Sequence, residues 1–261
     1  MVPTNVSIDQ PNPELLCESC GYTLDGLPGD GACPECGRAI SLSGPAARPG
    51  SPWQGTRSIR SWAATNYLML RRPAAVFDRL RVDRKHLYSL LLVNLLLAGG
   101  LLTAPWVGTL IFDPARNARG AAWLSRNAQF TLSLAKGTIG IGGVLLVLTA
   151  IEAMGVRFFG RRRGWRITPD IAWQVCAHAS IGWVVAAVLT ILSLVLWLNL
   201  SYFGLSGWMT RRGGWDDLGM AAVPVAGFLA GMLVFEILVY RGILRCRYAN
   251  APLETSIDLP A

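Results

Sequence analysis

Apolar residues are gathered into four long blocks instead of being spread along the chain. Residues 87–112, 138–159, 171–200 and 218–240 each reach the ~20 apolar residues that a helix needs to cross a hydrocarbon core. The pattern predicts a membrane all-α fold, a four-transmembrane-helix bundle over residues 86–241. The third block is long enough to tilt, to carry an extra turn, or to break into two helices.

Ahead of the blocks the pattern changes several times. Residues 1–13 are polar and read as a disordered lead-in. Residues 14–41 hold four of the six cysteines. Residues 42–60 are rich in Pro, Gly and Ser and read as a linker. In residues 61–85, Val76, Phe77 and Leu80 share one helical face, interleaved with Arg79, Arg81, Arg84 and Lys85, and Pro73 suits a first helical turn. An interfacial amphipathic helix is expected there, its apolar side in the headgroup layer. The competing reading packs that side on the protein itself. Residues 242–261 form a tail.

Composition supports lipid as the solvent. Hydrophobic residues make up 52%, charged residues 15%, and the mean hydropathy is +0.39. The net charge of +8 would suggest nucleic acid on a soluble domain, but here its placement matters first. Eighteen Lys and Arg fall before the first block, between the second and third with Arg157 at its edge, or after the fourth. Five fall in the other two loops, with Lys136 left over. This asymmetry places both termini in the cytoplasm and the bundle in the cytoplasmic (inner) membrane. Residues 1–14 lack a basic region followed by an apolar one, so no cleaved signal peptide is expected.

The cysteines carry the clearest chemistry. Cys17, Cys20, Cys33 and Cys36 are spaced C-x2-C-x12-C-x2-C, and Gly21 and Gly37 follow the two pairs. Each C-x2-C turn brings two sulfurs to one side of a metal, and two turns complete a tetrahedron. In a reducing compartment, paired cysteines favour metal over disulfides. Structural Zn2+ is the leading reading; iron, a redox-active pair or disulfides are the alternatives. Four thiolates leave no open position for a catalytic water. With both Cys-x-x-Cys-Gly knuckles present, the segment resembles the zinc-ribbon family. That implies a small β-hairpin fold in which metal supplies most of the stability. Arg38 faces five acidic residues in this segment, so nucleic acid is not expected as a partner. A cytoplasmic protein partner fits better.

The membrane half carries looser likenesses. Arg72-Pro73-Ala-Ala-Val-Phe77-Asp-Arg-Leu80 and Trp173-Gln-Val-Cys-Ala-His178-Ala-Ser180 together resemble segments of the Yip family of multi-pass membrane proteins. That resemblance implies membrane organisation or adaptor work. Gly204-Leu-Ser206-Gly207 resembles the rhomboid nucleophile motif, but no His follows it. Glu236 to Gly242 is similar to the CPBP protease motif, with Ile237 where a second Glu stands in that family. A hydrolytic site needs the missing residues, so no catalytic residues are expected. Glu152, His178 and Glu236 are the polar groups that a transporter or channel would use. Arg157 and Arg241 are placed to pair with the two glutamates. Cys176 and His178 are read as packing and hydrogen-bonding residues. Cys246 is read as a free cytoplasmic thiol open to S-acylation. Gly227 and Gly231 form a G-x-x-x-G contact, within the chain or in a homo-oligomer.

Overall fold

The computed structural model describes residues 14–44, 47–82, 87–111, 123–202 and 215–250. The fold is mostly helical, with eight α-helices among the described residues. Three short helices come first: α1 (Pro52–Gly55), α2 (Ile59–Arg71) and α3 (Pro73–Arg79). The membrane domain follows: α4 (Leu87–Ile111), α5 (Trp123–Arg162), α6 (Pro169–Ala179), α7 (Ile181–Tyr202) and α8 (Trp215–Cys246). Four segments are long and apolar enough to cross a membrane: Tyr88–Val107, Ala128–Arg162, Pro169–Leu200 and Ala222–Cys246. The chain is a multi-pass membrane protein on this ground. The 40 residues of α5 would extend about 60 Å, roughly twice a hydrocarbon core, so this helix runs well past residue 138.

The third apolar block is two helices. α6 and α7 meet at Ser180, whose hydroxyl donates to the Ala177 carbonyl (2.6 Å) and accepts from Asn94 Nδ2 (2.9 Å). A hydroxyl bonded back to its own helix competes with the backbone ladder and bends it. α6 starts cleanly, with Thr168 as N-cap and Pro169 in the first turn.

The bundle is built on α7 against α8 and α4 against α5, with α4 also touching α7. Small residues set these contacts. A Cβ on Gly231 would stand 2.1 Å from Ala186 Cα, and one on Gly227 2.7 Å from the Leu189 carbonyl oxygen. The Gly227/Gly231 stripe is therefore used inside the chain, in the contact between α7 and α8. Trp183 stacks on Phe235 with ring centroids 4.6 Å apart, and its indole N–H donates to Thr149 on α5 (3.0 Å).

The segment before the bundle departs from expectation in two ways. Residues 47–58 are packed, not free as a linker would be: Arg48, Ser51, Trp53 and Gln54 are all buried. Ser51 and Gln54 form a reciprocal capping box that fixes α1. The stretch 61–79 is two helices broken at Arg72, because Pro73 removes a backbone donor there. The apolar face of α3 does not enter lipid. Val76, Phe77 and Leu80 are buried in the protein core, and Phe77 lies over Gly242 of α8.

Candidate metal centre

The sequence-predicted ligands come together. The four sulfurs of Cys17, Cys20, Cys33 and Cys36 all lie within 4.8 Å of one another, with Cys17–Cys36 at 3.5 Å and Cys20–Cys33 at 3.6 Å. A tetrahedron with metal–sulfur bonds of about 2.3 Å requires sulfurs about 3.8 Å apart. The cluster could therefore hold one metal ion.

Two copies of one turn build it. Cys17 N–H donates to the Tyr22 carbonyl, Gly21 N–H to the Cys17 carbonyl, and Leu24 N–H to the Leu15 carbonyl. Cys33, Gly37 and Ile40 make the same three bonds to Arg38, Cys33 and Gly31. Residues 15–24 and 31–40 thus form an internal repeat that the sequence reading missed. Aligning the two Cys-x-x-Cys-Gly motifs reveals it as Leu-Leu-Cys against Gly-Ala-Cys, with an apolar residue four places after the last Cys of each. Both glycines adopt positive φ, +85° at Gly21 and +73° at Gly37, which closes the turn without a Cβ clash. Their amides donate to the Cys17 and Cys33 carbonyls.

Each repeat contains one isolated antiparallel bridge, Leu16–Thr23 and Ala32–Ala39, and no strand is formed among the described residues. The expected β-hairpin is thus reduced to one bridge per knuckle. Leu24 and Ile40 are buried between the repeats, while Tyr22 is exposed. The Arg38 guanidinium donates to the Leu42 carbonyl (3.2 Å).

Electrostatics distinguishes the thiols. Burial raises the Cys17 thiol, but hydrogen bonds from the Cys20 and Ser19 amides and the Cys36 and Cys20 side chains outweigh it and bring it down to about 7. Burial, then Glu35, Cys33 and Cys36, push Cys20 up.

The residues between the first two ligands bind the membrane domain. Glu18 forms a bidentate pair with Arg48, at 2.7 Å and 3.0 Å, with both side chains almost wholly buried. Burial would lower the Arg48 guanidinium, and Glu18 more than reverses this, holding it above its ordinary value. Arg48 also donates to the carbonyls of Phe77 (2.8 Å) and Leu80 (3.3 Å) at the end of α3, and of Arg245 (3.3 Å) at the end of α8. All three carbonyls lie at helix C-termini, where a cation also meets the negative end of the helix dipole; the Phe77 carbonyl accepts from the Leu80 amide as well. Arg247 donates to the Ser19 carbonyl (2.8 Å). The Asn250 amide brackets Leu16 through both its carbonyl and its N–H (2.8 and 3.1 Å), and also donates to the Ser43 carbonyl (2.7 Å). The Tyr248 ring lies over Gly21, where a Cβ would be 2.8 Å from it.

A second polar contact fixes the same segment. His178 Nδ1 faces the Gln174 carbonyl (2.9 Å), so it donates, and neutral Nε2 accepts from the Ser51 hydroxyl (3.0 Å). The bonds resemble those of an activated nucleophile, but both side chains are buried, which keeps a substrate from the hydroxyl. The pair acts as a clasp between α1 and α6. Glu152 and Glu236 lie within electrostatic reach of each other and of Cys176. The described ion pairs are Glu18–Arg48 and Asp78–Arg245; the expected partners Arg157 and Arg241 do not appear in them. Cys246 is buried under Arg48 and Phe77, which removes the exposed thiol that S-acylation requires. Ser206 lies outside the described residues. No family model matches the chain, and no curated protein or solved structure matches it.

Proposed function

We propose that the chain is a non-enzymatic protein of the cytoplasmic membrane, with both termini in the cytoplasm. Its two knuckles form a zinc ribbon that holds structural Zn2+ and presents a docking surface to a cytoplasmic protein partner. The observation that carries this reading is the four-sulfur cluster seated on the membrane domain through Glu18 and Ser19, residues inside the metal-binding turn itself. Zn2+ fits because four thiolates in tetrahedral spacing suit a soft, redox-inert ion. A ribbon fixed to the bundle orients its outer face, so a partner would be held in one geometry against the membrane. The acidic outer side of the ribbon disfavours nucleic acid.

The likeness to the Yip family points to membrane organisation, and its two segments approach each other at Gly242, which both Phe77 and Val175 contact. A different role, a small transporter or channel component, would draw on Glu152 and Glu236, acidic side chains of two membrane-crossing helices that lie within electrostatic reach of each other. That role predicts ion flux in liposomes that is lost in Glu152→Gln.

The test is metal analysis and in-cell crosslinking of wild type and Cys33→Ser. The expected result is one zinc per wild-type chain, lost in the variant together with a defined cytoplasmic partner while the protein stays in the membrane. Crosslinks unchanged by zinc loss would leave the ribbon a structural cap and overturn the docking role.

A further inference from the structure

We propose that metal occupancy of the four-cysteine site decides whether the ribbon stays latched on the membrane domain. This rests on the reading of the two knuckles as a zinc ribbon and adds a regulation to that site. The two repeats are not equivalent. Between its ligands the first repeat carries Glu18 and Ser19, the second Pro34 and Glu35. Glu18 is buried, while Pro34 and Glu35 are exposed. The bonds described from the ribbon to the membrane domain and its packed lead-in come from the first repeat and the ribbon's two ends. Glu18 meets Arg48, Ser19 meets Arg247, Leu16 and Ser43 meet Asn250, and Glu14 meets Arg166. The Tyr248 ring covers Gly21. The first knuckle is thus the foot of the ribbon, and the second stands away from the seat.

Much of that foot is backbone: the Leu16 N–H and carbonyl and the Ser19 carbonyl bind the seat only while the metal-binding turn keeps its shape. Inside the ribbon, little besides a metal would keep it. The ribbon's buried cluster is Cys17, Leu24, Cys33 and Ile40, so two of its four members are themselves ligands. A third ligand, Cys20, lies half-buried against them with Leu15 and Leu27. So small a core does not fold a segment of this length, and the binding of the ion supplies the folding free energy.

Loss of the turn reaches the helices through Arg48. With Glu18 withdrawn, Arg48 is a buried cation without its counter-charge, and turning toward water relieves it. That movement takes its bonds from the Phe77 and Leu80 carbonyls at the end of α3 and from the Arg245 carbonyl at the end of α8. The coupling also runs the other way. A seat that holds Leu16, Glu18 and Ser19 in the turn conformation pre-forms half of the four-sulfur site. Docking therefore strengthens metal binding by the factor by which metal strengthens docking.

The test uses the full-length protein in micelles, loaded with zinc or stripped with EDTA, and hydrogen-exchange mass spectrometry of residues 246–250. These residues belong to the seat, and the Asn250 backbone amide donates to the Glu18 carboxylate (3.4 Å), so exchange there reads the contact. Stripping should raise it by at least about fivefold, the lower end of ordinary coupling between two sites, and added zinc should reverse the change, while residues 181–187 of α7 stay protected. In the reciprocal arm, chelator competition gives the zinc affinity. Arg48→Ala and the milder Asn250→Ala should both bind zinc more weakly, and Arg60→Ala, an exposed charge of α2 outside these contacts, should match wild type. Wild type that takes up no zinc would overturn the zinc ribbon and the latch together. Wild type that binds zinc but exchanges residues 246–250 at one rate with and without it would overturn the latch alone and leave the ribbon standing. So would a zinc affinity unchanged in both Arg48→Ala and Asn250→Ala, or an equal loss in Arg60→Ala.

Discussion

Replacing Arg48 with Ala should release the ribbon from the membrane domain. The substitution removes both hydrogen bonds to Glu18 and the donors to the Phe77, Leu80 and Arg245 carbonyls. It leaves the Glu18 carboxylate in a site where its side chain is 5% exposed. Removing one partner of a buried, hydrogen-bonded pair costs about 3–5 kcal/mol, most of it the stranded charge. The ribbon and the 47–58 segment can escape that cost by lifting off. The opened fraction should therefore rise by about a hundredfold to a few thousandfold. Cys246 reports the opening, because it is fully buried with the Arg48 guanidinium 4.0 Å from its sulfur. The assay is maleimide labelling of Cys246 in native membranes, resolved by peptide mass spectrometry from the four ribbon cysteines. Wild type should label slowly and Arg48→Ala faster by at least a hundredfold. The double variant Glu18→Gln with Arg48→Met removes both charges and should recover much of the protection. A Cys246 rate in Arg48→Ala within about threefold of wild type would refute the reasoning, since Asn250, Arg247 and Tyr248 would then suffice to hold the ribbon.

Other expectations follow from the same contacts. Metal retention should fall with acidification. Protons compete with the metal for the four thiolates, so affinity should fall steadily as pH drops, checked by a zinc-chelator titration against pH; in the metal-free ribbon the thiolate favoured at Cys17 contributes stability above its unfolded value that is lost as pH drops through about 7. Gly231→Leu should separate α7 from α8, since even a Cβ would stand 2.1 Å from Ala186 Cα. A loss of about 1–3 kcal/mol or more is expected, read as a lower unfolding midpoint in detergent. Asn94→Leu should cost about 1–2 kcal/mol, because Trp62, Asn66 and Ser180 all lose their shared partner; hydrogen exchange should rise in α2.

The metal ligands were legible because thiolate chemistry is local: two short turns with a glycine after each fix the sulfurs whatever surrounds them. The four spans were legible for a similar reason, since each helix satisfies its own backbone and meets lipid as a continuous apolar run. The α6–α7 break was open in the sequence, because Ser180 bends the helix only with Asn94, 86 residues away, holding its hydroxyl.

What only the tertiary structure decided is who faces whom. Sequence pattern marks a residue as apolar or charged but does not say whether its neighbour is lipid, water or another helix. Phe77 and Val76 read as a lipid-facing stripe and are core, because α8 offers Gly242 beneath them. Glu18 read as a repulsive surface acid and is buried, because Arg48 meets it from a segment that composition marked as a linker. His178 read as a packing and hydrogen-bonding residue, and only the fold names its partner, Ser51, 127 residues away. Each case turns on long-range pairing, in which burial is favourable only if a specific distant partner arrives, and local composition carries no record of that partner.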